Sequence, residues 1–175
     1  MDKIEFGELL EYKKKSKIKA GDGLDLQEGK YPFFTSSNIL SKSINEFQFN
    51  KPSLIFGTGG KPSVHYCNDN FSVSTDCLVA QPRENEKLEL KYFYYFFIKD
   101  NLRVLEEGFK GAGLKHISRK YIDRIKIPLP PLKTQKHIAG ILDDAVALRD
   151  KTQKLLEEYD ALSQSIFLEM FGDPY

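Results

Sequence analysis

The stretch IPLPPLKTQKHIAGILDD, Ile127 to Asp144, sets Pro128, Pro130 and Pro131 within four residues, and the next proline is Pro174. Proline fixes φ and pushes the residue before it towards extended backbone, so a strand ending near Ile127 cannot run directly into helix. Thr134, four residues after Pro130, is placed to cap a helix that follows. The segment therefore reads as a stiff joint between two regions of different periodicity. The competing reading is a polyproline ligand for an aromatic groove. Such ligands sit in disordered surroundings, whereas this chain is 41% hydrophobic and 13% aromatic, enough for a real core.

Beyond the joint the period is helical. With Ile138 at heptad position a, the a and d positions are Ile138, Ile141, Ala145, Leu148, Thr152, Leu155, Tyr159, Leu162, Ile166 and Glu169. Eight of these ten are apolar and the register never slips, while Leu142, Leu156 and Met170 widen the stripe. A helix from Thr134 to Met170 would be about 55 Å long. A sustained a/d repeat predicts a coiled-coil partner, and no second segment of this kind occurs among the 175 residues. The partner is therefore expected to be a helix of another chain. Folding back onto its own domain is the alternative. Gly172 and Pro174 read as the helix stop.

Before the joint, Gly and Pro interrupt the chain often. Between the breaks lie the β-like runs YPFFTSS, SLIFGTG, SVHYCN and DCLVAQP, beginning at Tyr31, Ser53, Ser63 and Asp76. One unbroken stretch, Leu88 to Gly108, predicts a single helix ending in a glycine. A helical turn at Ser118–Tyr121 and a strand at Arg124–Ile127 are expected next. The fold class is α+β: a β-rich mixed globule over residues 1–132, then a long C-terminal coiled-coil helix over 133–175.

Charge divides along the same line. Residues 1–132 hold 21 Lys and Arg against 17 Asp and Glu, a net +4, while residues 133–175 hold 5 against 8, a net −3. A mildly basic globule permits nucleic-acid binding without requiring it. No apolar run approaches the roughly 18 residues of a membrane span, and the N-terminus MDKIEFGELLEYKKK lacks a signal peptide's apolar stretch. Cys67 and Cys77 form neither a disulfide framework nor a metal spacing, which suits reduced thiols in a cytoplasmic protein.

Catalytic patterns are weak. FGTGGKPS, Phe56 to Ser63, departs from the phosphate-loop pattern because Pro62 follows Gly60-Lys61 where a hydroxyl residue opening a helix is needed. FGDPY at the C-terminus lacks one proline of the Asp-Pro-Pro-Tyr motif of amino-methylating enzymes. His65, His116 and His137 are scattered, without a second ligand at metal spacing. The aromatic run Tyr92–Phe97 could stack on bases, but its helical spacing favours a core face. No catalytic residue, metal or cofactor is expected.

Loops suited to DNA are more frequent. Thr35–Asn38 offers hydroxyls and an amide through Ser36, Ser37 and Asn38. The turn with Gly59, Gly60, Lys61 and Ser63 offers backbone N–H groups and a cation. Phe109–His116 is a second Gly-rich loop with Lys110 and Lys115, and Tyr12–Lys19 carries Lys13, Lys14 and Lys15. Any one is an ordinary solvated turn. Four in one small domain point to an anionic polymer.

The run HISRKYIDRIKIPLPPLKTQKHIAGILDD, with its Leu-rich helix and terminal FGDP, resembles the specificity (S) subunits of type I restriction–modification systems. In that family a target-recognition domain ends in an Ile-Pro-Leu-Pro-Pro-Leu junction and continues into a spacer helix; here Gln135, Ile138, Ala139 and Leu142 stand in the matching places. GKYPFFTSSNI and the region from Pro52 to Pro82 resemble the recognition domain's framework. S subunits of usual length have two recognition domains and two antiparallel spacer helices, so the resemblance implies a half S subunit, natural or a fragment. It implies a target-recognition domain at 1–132 that reads double-stranded DNA. It also implies a non-catalytic role, with a modification (methyltransferase) subunit and a restriction (ATP-dependent translocase/nuclease) subunit as partners. The unpaired stripe adds the expectation of a homodimer through Ile138, Ile141, Ala145, Leu148, Leu155, Tyr159, Leu162 and Ile166, reading a bipartite inverted repeat. A coiled-coil adaptor whose globule binds protein is the alternative; a standalone methyltransferase or nuclease lacks its motifs.

Overall fold

The computed structural model describes residues 3–84, 87–100 and 102–172. The chain separates into two compact units, residues 1–136 and 137–175. In the first, the run SLIF becomes the central strand because both of its faces are covered. This strand, β6 (Ser53–Gly57), is buried at every position. It lies between β7 (Ser63–Cys67) and β9 (Cys77–Pro82), and β2 (Leu10–Tyr12) completes the antiparallel order β2-β9-β6-β7. Leu54 pairs with Tyr66 on one side and Ala80 on the other, which fixes the register.

The pleat sends alternate β6 side chains to opposite faces. Phe56 meets Phe97 of α2 (Leu90–Ile98) at 5.1 Å between ring centroids and Phe6 of α1 (Phe6–Leu9) at 5.7 Å, both edge to face. Ile55 points the other way, into a cluster with Phe34, Phe71, Val73, Cys77 and Val79. That face is covered by a second sheet of order β3-β5-β4-β8, formed by Leu24–Asp25, Lys42–Ile44, Tyr31–Phe34 and Ser72–Val73. β4 and β8 pair in parallel; the other pairs are antiparallel. A continuous apolar run buried on both faces, where period 2 would otherwise alternate with polar residues, follows from this sandwich.

The four expected strand regions are all present. The expected helix from Leu88 to Gly108 is not continuous. α2 ends at Ile98, Leu102 adopts φ 64, and a short α3 (Arg103–Glu106) follows. Burying Phe93 and Phe97 on one line and Leu105 on another requires the chain to change direction between them. Gly108 is no left-handed cap; it is buried against the ring of Tyr121. The aromatic run packs as core, with Tyr92, Phe93 and Phe97 buried.

Ser118 caps α4 (Arg119–Asp123), its hydroxyl accepting from the Tyr121 N–H, and β10 (Lys126–Pro128) pairs with β1 (Lys3–Glu5). The long helix α5 runs from Leu132 to Phe171, 40 residues and about 60 Å. It begins two residues before the expected cap. The Pro131 carbonyl accepts from the Thr134 and Gln135 N–H groups at 2.8 and 3.1 Å, so Pro131 holds the cap position and Thr134 lies in the first turn. A helix start leaves its first N–H groups without partners, and proline has none to leave. Gly172 adopts φ 75 and its N–H donates to the Leu168 carbonyl, closing the helix as expected; Pro174 lies outside the described residues.

Candidate nucleic-acid interface

Three of the four loops singled out from sequence are tied into one surface at the Gly57 end of the central sheet. The β6–β7 hairpin supplies the middle. Beyond Gly57, Thr58 is fixed to the neighbouring β8–β9 turn, its N–H and its hydroxyl both donating to the Asp76 carbonyl at 2.8 and 3.0 Å. Gly60 then takes φ 83, turning the chain back towards Ser63. Lys61 stands exposed at the tip.

On one flank lies the segment from Lys110 to His116. Its two ends close on each other, Lys110 and His116 exchanging both backbone hydrogen bonds at 2.9 Å. It is bound to the hairpin by the Gly60 N–H donating to the Lys115 carbonyl and by the Ile117 N–H donating to the Thr58 carbonyl, each at 3.0 Å. The His116 ring adds an Nδ1–H bond to the same Thr58 oxygen at 3.2 Å. Lys110 and Lys115 are both exposed.

On the other flank lies Thr35–Asn38. The Ser63 hydroxyl donates to the Ser36 carbonyl at 3.1 Å, and His65 Nε2 donates to the Ser37 carbonyl at 2.8 Å. A carbonyl only accepts, so the neutral His65 ring carries its proton on Nε2. Burial holds its pKa below the usual histidine value, opposed by the bond to Ser37, and its ring lies 5.0 Å from that of Phe34. Close approach is possible because β6 ends in Gly57, where a Cβ would stand 2.8 Å from the Ser36 Cα.

Several side chains are used differently from the sequence expectation. Ser63 is 1% exposed and joins two loops internally. The Ser37 hydroxyl accepts from the Ile39 N–H and shapes its own turn, leaving Asn38 exposed. Lys13 and Lys14 are not brought to this surface. They line grooves with Lys51 and Gln81, at the Ser53 end of the sheet, and Lys13 pairs with Glu11, whose carboxyl it holds below the usual range. Lys15 is exposed on the segment that follows. Of the residues that hold the surface together, Thr58 and His116 lie within the loops singled out from sequence, while His65 and Asp76 lie outside them.

Cys67 and Cys77 are buried, burial raises both thiols, and Cys77 is pushed up to about 11, so both are protonated structural residues. Among the described residues no group of three or more His, Cys, Asp or Glu could hold a metal ion. No described helix is long and apolar enough to cross a membrane.

A family model described as the type I restriction modification DNA specificity domain matches residues 1–158. The chain belongs to that family. The junction motif and the recognition-domain framework thus indicated the family correctly. Among relatives of this specificity domain, the MjaVIII specificity subunit of Methanocaldococcus jannaschii is 26% identical over 152 residues, covering 82% of this chain and 36% of its own. The EcoDI specificity subunit of Escherichia coli is 27% identical over 155 residues, covering 89% and 33%. The S subunit structure from M. genitalium superposes with a TM-score of 0.66 at 22% identity, over 96% of this chain and 47% of that one. The HsdS structure from Thermoanaerobacter tengcongensis gives 0.57 at 20%, over 99% and 45%. These structures share the fold, a β-rich globule followed by a long helix. The specificity domain described here spans about a third of the relatives' length and about half of the solved chains.

Proposed function

We propose that this chain is the DNA-reading, non-catalytic component of a cytoplasmic type I restriction–modification complex. The observation that carries the reading is the fixed apposition of three loops that expose Lys61, Lys110, Lys115 and Asn38 on one side of the globule. Lysines place the protein on phosphates, and an amide such as that of Asn38 can read a base edge. Lys13 and Lys14 would extend the contact only on DNA long enough to reach the other end of the sheet, whereas Lys15 lies on the segment whose Ile18 carbonyl accepts from the Thr75 N–H, beside the Asp76 turn.

The helix supplies the second half of the proposal. Leu148 is 67% exposed, Tyr159 63% and Ile141 55%, with Leu155, Leu162 and Ile166 also exposed. Ala145 is exposed and Ile138 half-buried. An antiparallel pairing of two copies would cover this stripe and set two identical globules to read an inverted repeat, because protein two-fold symmetry is mirrored in the DNA site. The modification and restriction subunits, which would carry methylation and ATP-driven cleavage, are the proposed partners.

The test is DNA binding by the chain together with its modification subunit, followed by fluorescence anisotropy from 50 to 200 mM salt. Contacts to phosphates give log K falling linearly with log salt, with each phosphate neutralised adding about 0.9 to the slope. Measurable affinity at low salt with a slope of several is expected. No affinity at low salt would defeat the reading and favour an adaptor whose globule binds protein.

A further inference from the structure

Two large apolar side chains stand in the open on the three-loop surface. Ile39 is 68% exposed and Leu114 is 69% exposed. A single exposed Leu needs no explanation. Here there is one on each flank of the same hairpin tip, among Lys61, Lys110 and Lys115.

Neither stands on a loose segment. The loop carrying Leu114 is closed by the Lys110–His116 backbone pair and fixed by Gly60 on the Lys115 carbonyl. Within it Gly111 adopts φ 145, and a Cβ there would stand 2.8 Å from the Leu114 carbonyl oxygen, so the turn is closed tightly. Ile39 follows a turn in which its own N–H donates to the Ser37 hydroxyl, while the Ser37 carbonyl accepts from His65. Both apolar groups are thus presented at defined places, Leu114 next to Lys115 and Ile39 next to Asn38.

Phosphate contacts carry no sequence information; base edges do. In the major groove, which admits a two-stranded ribbon, the one apolar feature of a base pair is the thymine 5-methyl group. Resting on the DNA-reading function above, we propose that Leu114 and Ile39 are specificity-determining residues that read thymine methyl groups in the half-site.

The test uses the chain bound to its modification subunit. Sequencing of modified bases in the host genome first supplies the target. Duplexes are then made in which one half-site thymine at a time is replaced by deoxyuridine, which lacks only the methyl. Wild type should lose about fourfold in affinity at one or more positions, the worth of one buried methyl. Leu114→Ala or Ile39→Ala should show the same loss on the thymine duplex and no further loss on the matching deoxyuridine duplex. The inference is overturned if both variants discriminate thymine from deoxyuridine as wild type does, or if the half-site contains no A·T pair. It is equally overturned if the variants weaken target and scrambled duplexes alike, which would mark a wedge or a backbone contact. Failure of wild type itself to bind the target duplex would bring down the DNA-reading function, and this inference with it.

Discussion

At the scale of single residues, two groups decide whether the loops stay together. Gly57 leaves no room for a methyl: a Cβ would stand 2.1 Å from Ser63 Oγ and 2.8 Å from the Ser36 Cα. The nearer obstacle is a side chain, but its rotation would give up the Ser63 bond to Ser36. Gly57→Ala should therefore destabilise the globule by about 1–3 kcal/mol, as overpacking of a tight site does, read as a lower urea midpoint. His65 makes the same junction sensitive to acid. Its folded pKa lies below the ordinary histidine value of 6.5, so the unfolded chain takes up a proton before the folded one does. Stability from this group is present above about pH 6.5 and declines as pH falls towards the lowered folded pKa. Denaturant midpoints at pH 8 and 5.5 should differ, and His65→Gln should shrink the difference; an unchanged difference would remove His65 from the account. Loop chemistry was legible in the sequence, since Lys, Gly, Ser and Asn clusters stand out locally. Their apposition was not, because it rests on bonds between residues 27, 28 and 58 positions apart.

At the scale of elements, the joint before the long helix depends on a polar side chain more than on proline stiffness alone. Gln135 is 2% exposed in the first turn of α5. Its amide N–H donates to the Pro130 carbonyl at 2.8 Å, and its amide oxygen accepts from the Glu89 N–H at 3.1 Å, just before α2. One side chain thus fastens the proline segment, the start of α5 and the start of α2. Gln135→Leu fills the same space and abandons both partners, at a cost of about 1–4 kcal/mol for one buried and one part-buried backbone group left unsatisfied. Chemical denaturation monitored by tyrosine fluorescence would measure it, and a change under 1 kcal/mol would contradict this role. Regular elements were readable where local pattern decided them. The runs at Tyr31, Ser53, Ser63 and Cys77 are apolar and bounded by Gly, Pro or polar turns, and the heptad register of α5 does not slip. The two- and three-residue strands β1, β3, β5 and β8 leave no such pattern, because partners elsewhere in the chain define them. The break at Leu102 was hidden for a related reason: demands of the core override helix propensity.

At the scale of the whole molecule, the proposed dimer makes assembly and target geometry depend on one stripe. Light scattering after size exclusion should give about twice the 20.1 kDa monomer mass at micromolar concentration. Leu148→Asp with Leu155→Asp should restore the monomer, since charges at two successive d positions have no partner in the seam. A wild-type chain that remains 20.1 kDa would end the homodimer proposal. If the dimer forms, α5 acts as a spacer whose length sets how far apart the half-sites lie. Removing one heptad, Lys151 to Glu157, keeps every a and d position in phase, because seven residues are close to two helical turns. The seam survives, while each helix shortens by about 10 Å. At about 3.4 Å per base pair, derived from roughly 34 Å per DNA turn, the unread spacer should contract by about three base pairs with unchanged half-sites. Removing four residues should instead rotate the downstream stripe away from its partner and cost the dimer. Sequencing of methylated adenines in cells carrying each variant separates the outcomes: a spacer unchanged by the seven-residue deletion would show that α5 does not measure the distance.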